Sequence, residues 1–508
     1  MSDEPTETAG SPANDEPEQM RVRREKLERI KARGVEPFPV GYPRTATIAE
    51  VRERFQGLET DTATGQSVAV AGRVLLSRIG GKLCFATIRE GEAEIQVMVS
   101  LDRVGEQALA DWKADVDLGD HVGVTGEVIT SRRGELSILA DSWQMTAKCL
   151  RPLPDKHKGL SDPEARVRQR YVDLIVNADA RSMMRQRSAM IRSIRETMHG
   201  EGYIEVETPV LQTVHGGASA RPFRTHINAY DMDMYLRIAT ELPLKRLIVG
   251  GADRVFEIGR LFRNEGADAT HNPEFTTIEC YEAYGDYRTQ AELTRQLILN
   301  AAVAVNGTTV IRGLDAHGVE HELDLAEPWG EISVYDGISE RLGEPVTPET
   351  PVERLRELAD KADVPYEPKW GHGQIVLEMI ERLLEEDTIA PTFLMDYPTE
   401  VSPLARRHRT KAGVSEKWDL VILGTERATA FSELTDPIDQ RDRLTAQSLL
   451  AAAGDEEAMQ LDEDFLRALE YGMPPSGGMG MGMDRLIMML TGKNIRETIL
   501  FPLVRPGA

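Results

Sequence analysis

Apolar and polar residues alternate with a period of two along two neighbouring runs, Arg254–Arg263 and Phe275–Ala283. On the first, Val255, Glu257, Gly259, Leu261 and Arg263 fall on one face; on the second, Thr277, Glu279, Tyr281 and Ala283 do. The polar stretch between them predicts a hairpin loop. Such a hairpin would set Arg263, Glu265, Glu279 and Tyr281 around one surface, with His271 and Phe275 at the loop. An arginine beside carboxylates on one sheet face suits a substrate carrying both a phosphate and an ammonium.

Strand-like alternation also fills Val68 to about Leu150, interrupted by helical spacing near Glu106–Trp112. About five strands with one helical insert predict an OB-fold barrel, a fold that commonly binds single-stranded nucleic acid through a stacking aromatic and a few polar side chains. Helical periodicity predicts helices over residues 21–34, Ile48–Phe55, Arg181–His199 and Gly373–Glu386. The Arg181–His199 helix runs into a strand-like Tyr203–Glu207 and then Pro209. Near the C-terminus, closely spaced glycines in Met473–Leu486 (MPPSGGMGMGMDRL) lead into a helix carrying Arg485. These glycines allow a planar base to approach the backbone, and the arginine can meet a phosphate. Packing of the methionines against a sheet is the plainer reading of the same stretch.

Composition narrows the class. At 508 residues the chain is too long for one core, so two or three domains are expected. No apolar run approaches the ~20 residues that span a bilayer, and the N-terminus carries no basic-then-apolar leader pattern. The three cysteines, Cys84, Cys149 and Cys280, are far apart, which suits a reducing cytoplasm rather than a disulfide framework. Cys280 falls on the strand face opposite Glu279 and reads as packing. The net charge of −24 argues globally against nucleic acid, but it is unevenly spread. The first 20 residues are acidic and read as a disordered tail, while Arg21–Arg33 is basic at helical spacing. That helix is either an RNA-backbone contact or a solvated surface helix, and on composition alone the second is favoured.

Competing nucleotide-binding signatures are absent: there is no GxxxxGK[ST] loop, no HIGH or KMSKS sequence, and no kinase glycine loop with a downstream HRD. Instead, Arg254–Tyr284, with its FRNE, HNPEF and ECY segments, resembles motif 2 of the class II aminoacyl-tRNA synthetases in its lysine-specific branch. Helix–strand–Pro209 resembles motif 1, and Met473–Gly492 resembles motif 3. The resemblance runs from Arg21 to Pro506. It implies an α+β architecture: residues 61–150 as an OB-fold anticodon domain, then residues 151–508 as a catalytic domain of antiparallel sheet flanked by helices. Residues 306–391 read as an insertion with no assigned chemistry.

The resemblance also implies roles. Arg263, Glu265 and Arg485 would be catalytic. ATP would be held by these three with His271, Asn272, Phe275, Glu426 and Gly482, with His271 binding rather than acting as a base. Gly216, Glu241, Glu279, Tyr281, Thr429, Phe431 and Glu433 would hold lysine, whose desolvated ammonium needs carboxylates. Asp419 and Glu426 would hold Mg2+, a hard cation that prefers oxygen donors; the family commonly has Glu at the first position. Arg73, Arg78, Phe85, Gln96 and Glu135 would read the anticodon. Arg427, Ala428, Thr429 and Ala430 depart from the commoner isoleucine–glycine–asparagine–glycine stretch, which alters the pocket floor. The implied protein is a cytoplasmic homodimer with no membrane segment, taking L-lysine, ATP and lysine tRNA. Alternatives left open are the aspartate or asparagine branch, a relative with an altered pocket or another acceptor, and a non-catalytic RNA-binding relative.

Overall fold

The computed structural model describes residues 17–154, 160–268, 270–452 and 459–505. The acidic tail expected over residues 1–20 lies almost wholly outside them. The chain forms two compact units, Met1–Ser161 and Asp162–Ala508.

The first unit is a closed five-stranded barrel: β1 (Ala63–Arg78), β2 (Leu83–Glu90), β3 (Ala93–Ser100), β4 (His121–Thr130) and β5 (Leu136–Ala147), in the order β1-β2-β3-β5-β4. The helical insert is two helices, Leu101–Val104 and Glu106–Asp115. Val70, Cys84, Ile88, Val97 and Ile138 alternate inward and fill the interior. A bulge between Val74 and Leu76 resets the parity of β1. Arg73 and Arg78, five residues apart, therefore both pair with outward-facing partners, Arg89 and Phe85. The basic helix, Glu18–Ala32, is a surface helix with most of its side chains exposed, as the favoured reading expects. It packs on this unit through Leu27 and Ile30, and three of its cations reach the end of the insert or the residues after it. Arg29 reaches Asp115 at 2.7 Å, Lys26 reaches Asp117 at 2.7 Å, and the buried Arg23 donates to the Cys149 and Leu118 carbonyls.

The second unit is built on an eight-stranded sheet. Four short strands come first: β6 (Ile204–Glu205) in the sheet, then β7 (Leu211–Gln212), which with β8 (Arg224–Ile227) and β9 (Met232–Leu236) makes a small separate sheet. Next come the hairpin β10 (Arg254–Phe262) and β11 (Glu274–Ala283), a second small hairpin β12 (Val310–Leu314) and β13 (Glu320–Asp324), and β14 (Gly330–Ser333). β15 (Thr392–Met395), β16 (Lys417–Val421), β17 (Glu426–Ser432) and β18 (Ser476–Gly482) complete the set. The main sheet runs β14-β15-β16-β17-β18-β11-β10-β6, antiparallel except at its two edges. Residues Ala178–Gly200, Tyr287–Asn306 and Met483–Thr491 are helices whose apolar sides bury one face of it, with Met190, Ile194, Leu297 and Ile487 against Phe256, Ile278, Trp418 and Met481.

The stretch expected to be a mere insertion, 306–391, contributes to the main architecture. β14 is an edge strand of the central sheet, paired in parallel with β15. The helix expected over Gly373–Glu386 is α-helical over His372–Ile380 and then widens to a π-turn, Glu381–Glu385. Among the described residues no helix is long and apolar enough to cross a membrane.

Candidate active site

The other face of the main sheet forms the floor of a cavity of about 580 Å³. Register sets its residues in rows. Glu257, Glu279, Gly480, Thr429 and Asp419 are successive cross-strand partners; so are Val255, Tyr281, Gly478, Phe431 and Lys417. The alternation of β18 serves both faces at once: Met479 and Met481 are buried in the core behind, while Gly478, Gly480 and Gly482 leave the cavity side clear. A Cβ on Gly478 would fall 2.1 Å from Glu433 Oε1 and 2.4 Å from the Tyr281 ring, so no side chain fits there. The methionines of the Met/Gly run therefore pack the core while its glycines line the cavity.

One end of the cavity is acidic. Glu241 and Glu279 line it, with Tyr281 and Phe431 as walls. Glu279 accepts a bond from the Thr240 amide at 3.1 Å, and its other oxygen is buried without a partner. Burial, reinforced by Glu241, raises its pKa to about 7. Glu433 lies just behind the lining, 1% exposed. The unanticipated residue is Lys245. Fully buried, it binds Glu241 at 2.6 Å, contacts Glu433, and sits 5.3 Å from the Phe431 ring centroid. Its i,i+4 spacing from Glu241 on the helix Glu241–Val249 was the available sequence signal. This internal ammonium offsets part of the negative charge, and burial nonetheless pushes Glu433 up to about 8. Gly216 is buried and does not line the cavity. Gly217, Ala218 and Ser219 line it instead, with Gly217 at φ +86°, a left-handed conformation suited to glycine.

The other end is basic. Arg263 follows β10 and stacks over Phe275 at 5.2 Å; its Nε is buried and unpartnered. Arg485, in the first turn of Met483–Thr491, donates to the Glu426 carbonyl at 3.2 Å. Glu265 accepts from the Arg221 amide, and His271 sits on Asp268 at 3.0 Å in the loop. Asn272 bonds the Glu274 carbonyl at 2.5 Å, and all three loop residues line the cavity. Sequence reasoning also missed Arg427, a second buried guanidinium here, and Asp484. The latter accepts from the Thr276 amide (2.7 Å) and Arg187 (2.5 Å), fastening the Arg485 helix to β11.

Asp419 is buried, bound on one side by Lys417 at 2.9 Å, with Oδ1 unpartnered. Burial and then Asp419 raise the pKa of Glu426. Glu385, from the supposed insertion, accepts the Glu426 amide at 2.7 Å, and burial raises it to about 7. Among the described residues no group of three or more His, Cys, Asp or Glu has metal-holding geometry. Two repelling carboxylates with an orphaned oxygen do fit a cation whose remaining ligands come from substrate and water.

Residues 162–505 match the family model described as class II tRNA synthetases (D, K and N). The chain belongs to this family. The main sheet and the cavity both lie within the matched segment. Residues 68–146 match the OB-fold nucleic acid binding domain, which coincides with the barrel. Lysine–tRNA ligases of Mycolicibacterium gilvum (56% identical over 98% of this chain and 99% of that one) and Kineococcus radiotolerans (56%, over 97% and 98%) are among its relatives. A lysylphosphatidylglycerol biosynthesis bifunctional protein of Nocardia farcinica is 54% identical over 96% of this chain, which covers 43% of that larger protein.

On the barrel of this synthetase, Phe85 points outward, half-buried, while its neighbour Cys84 fills the interior. Gln96 lies on the same outer face and donates to Ser137 at 2.8 Å; Ser137 donates to the Glu135 carbonyl at 2.9 Å. Arg78 pairs across from Phe85, so these residues share one patch. Arg73 donates to the Gly119 carbonyl at 2.9 Å and is partly buried.

Proposed function

We propose that this protein activates L-lysine with ATP and transfers it to the 3′ end of lysine tRNA. One observation carries the reading: a single sheet face holds a carboxylate-and-aromatic pocket at one end and arginines at the other, the polarity that an amino acid with a cationic side chain and ATP require together. The near full-length identity to lysine–tRNA ligases supports it.

The chemistry is positioning and electrostatics. Glu241 and Glu279 bind the two ammonium groups, Glu433 adds negative charge from just behind the lining, and Tyr281 and Phe431 close the pocket. Thr429 forms its floor. Arg263 brings the lysine carboxylate to the α-phosphorus, where a carboxylate oxygen attacks in line and pyrophosphate leaves. Arg485 binds the leaving phosphates, and Phe275, His271, Asn272, Glu265 and Gly482 hold the nucleotide. Asp419 and Glu426 would hold Mg2+, which when bound neutralises phosphate charge. The 3′-terminal ribose hydroxyl of the tRNA then attacks the adenylate carbonyl and AMP leaves. Arg78, Phe85, Gln96 and Glu135 read the anticodon, with Arg73 supporting the patch. The protein works in the cytoplasm as a homodimer. Exposed Ile204, Val210 and Leu211, around the sheet edge after the Ala178–Gly200 helix, supply apolar surface for that contact.

Lysine-dependent ATP–pyrophosphate exchange, run beside aspartate, asparagine and ornithine, tests the reading. Exchange with lysine alone is expected; exchange with another of these, or none, overturns it.

A further inference from the structure

We propose that Arg427 is an additional ligand for the phosphates of ATP that depart as pyrophosphate. The proposal rests on the cavity's taking ATP as described above.

Arg427 is 7% exposed yet lines the cavity. Its Nε and Nη2 donate, at 3.2 and 3.0 Å, to one acceptor, the Ile422 carbonyl in the turn between β16 and β17. Nη1 makes no hydrogen bond, and among the described residues no carboxylate lies within ion-pair distance. Arginine keeps its charge in any such setting, and a buried charge without a counterion is costly unless something pairs with it. The lysines nearby are paired, the buried Lys245 behind the wall with Glu241 and Glu433 and the half-buried Lys417 with Asp419. Arg263, which meets the substrate's anionic groups, has, like Arg427, no ion pair among the described residues. An aliphatic side chain would fill the position without the cost. The unpaired guanidinium therefore needs an anion that arrives with the substrate.

Its position selects which anion. Along β17, Glu433, Phe431, Thr429 and Arg427 step from the acidic end to the basic end at about 3.3 Å per residue. That sets Arg427 roughly 20 Å of strand from Glu433, beyond reach of the lysine carboxylate that Arg263 meets. It stands instead beside Glu426 and Arg485. Two guanidiniums repel unless a multiply charged group lies between them, and the distal phosphates supply that charge with pairs of oxygens that the guanidinium fork meets bidentately.

The test compares the full-length wild type with Arg427→Leu, Arg427→Gln and Arg427→Lys. Exchange kinetics give KM for ATP, pyrophosphate and lysine. Equilibrium binding gives affinity for a non-hydrolysable ATP analogue and for a lysyl-adenylate analogue, which lacks the departing phosphates. Loss of one charge-assisted contact should raise KM for ATP and pyrophosphate about tenfold or more in Leu and Gln, with Lys intermediate. KM for lysine and affinity for the adenylate analogue should stay within about twofold, the scatter expected when no contact is lost. Unchanged ATP and pyrophosphate constants would overturn the proposal. So would an equal loss across all ligands, including the adenylate analogue, since that marks a residue that only pins the Ile422 turn. A wild type that fails to exchange with lysine overturns the lysine assignment alone, and binding of the ATP analogue to the four proteins still decides Arg427.

Discussion

A carboxyl held near neutrality inside a pocket built for cations makes lysine binding pH-dependent. Glu279 is raised from its ordinary 4.5 to about 7, chiefly by burial and then by Glu241. Between those values the folded chain keeps a proton that the unfolded chain has lost. The protein without ligand therefore loses stability as pH rises through that window, by roughly 3 kcal/mol in total. Bound lysine reverses the balance, because an ammonium favours the ionised carboxylate. Lysine affinity should rise about tenfold between pH 6 and 8. Calorimetry in buffers of different ionisation heat should show a proton released on binding near pH 6.5. Glu279→Gln should bind lysine weakly and lose that proton signal. A wild type with pH-independent affinity across this range would show that Glu279 is ionised before lysine arrives. Lys245 works in the same pocket with the opposite sign: its ammonium, fixed between Glu241 and Glu433, keeps three carboxylates from being left wholly uncompensated when the pocket is empty.

Among the elements, β18 and the helix after it carry the basic end of the cavity, where ATP is proposed to bind, and one side chain fastens them. Asp484 is 2% exposed and joins the β11 amide of Thr276 to Arg187 on the long Ala178–Gly200 helix. Asp484→Ala would leave the Arg187 guanidinium, 12% exposed, without its partner, at a cost of about 3 kcal/mol. Thermal unfolding should show the loss, and KM for ATP should rise more than KM for lysine because Arg485 lies one residue away. Equal changes in both constants would argue that Asp484 supports the whole sheet. These elements were readable in the sequence because strand parity is local: the alternation of Arg254–Arg263, of Phe275–Ala283 and of SGGMGMGM is enough to sort residues between core and cavity. Partners supplied by distant segments were not readable. Glu385 meets Glu426 from a stretch that looked like an insertion, by way of a π-turn. Arg427 enters the cavity at the irregular end of the β16–β17 pairing, where register shifts between Leu420 and Val421. Gly216 and Gly217 are adjacent glycines that only the backbone conformation tells apart. The basic helix was legible as a surface helix, but its acidic partners, Asp115 and Asp117, were not, being 86 and 91 residues away.

At the scale of the whole molecule, the two units have separate cores: Val70, Ile88 and Ile138 centre one, while Ile194, Phe256 and Trp418 centre another. On the proposed function, chemistry on the lysine carboxylate uses the cavity of the second unit and anticodon reading the patch on the first. A substitution that leaves the barrel interior alone should then separate the two half-reactions. Phe85 is on the outer face and Gln96 spends its amide on Ser137, so Phe85→Ala and Gln96→Ala remove recognition surface without opening the core. Stacking on an aromatic contributes about 1–3 kcal/mol per base, so Phe85→Ala should raise KM for lysine tRNA roughly 5- to 150-fold. Lysine-dependent pyrophosphate exchange without tRNA should stay at the wild-type rate. The same substitution should leave charging of a minimal acceptor stem, which has no anticodon, unchanged. Exchange that fell in parallel with tRNA charging would mean the barrel supports the catalytic fold, and tRNA charging that did not fall would place anticodon recognition elsewhere on the chain.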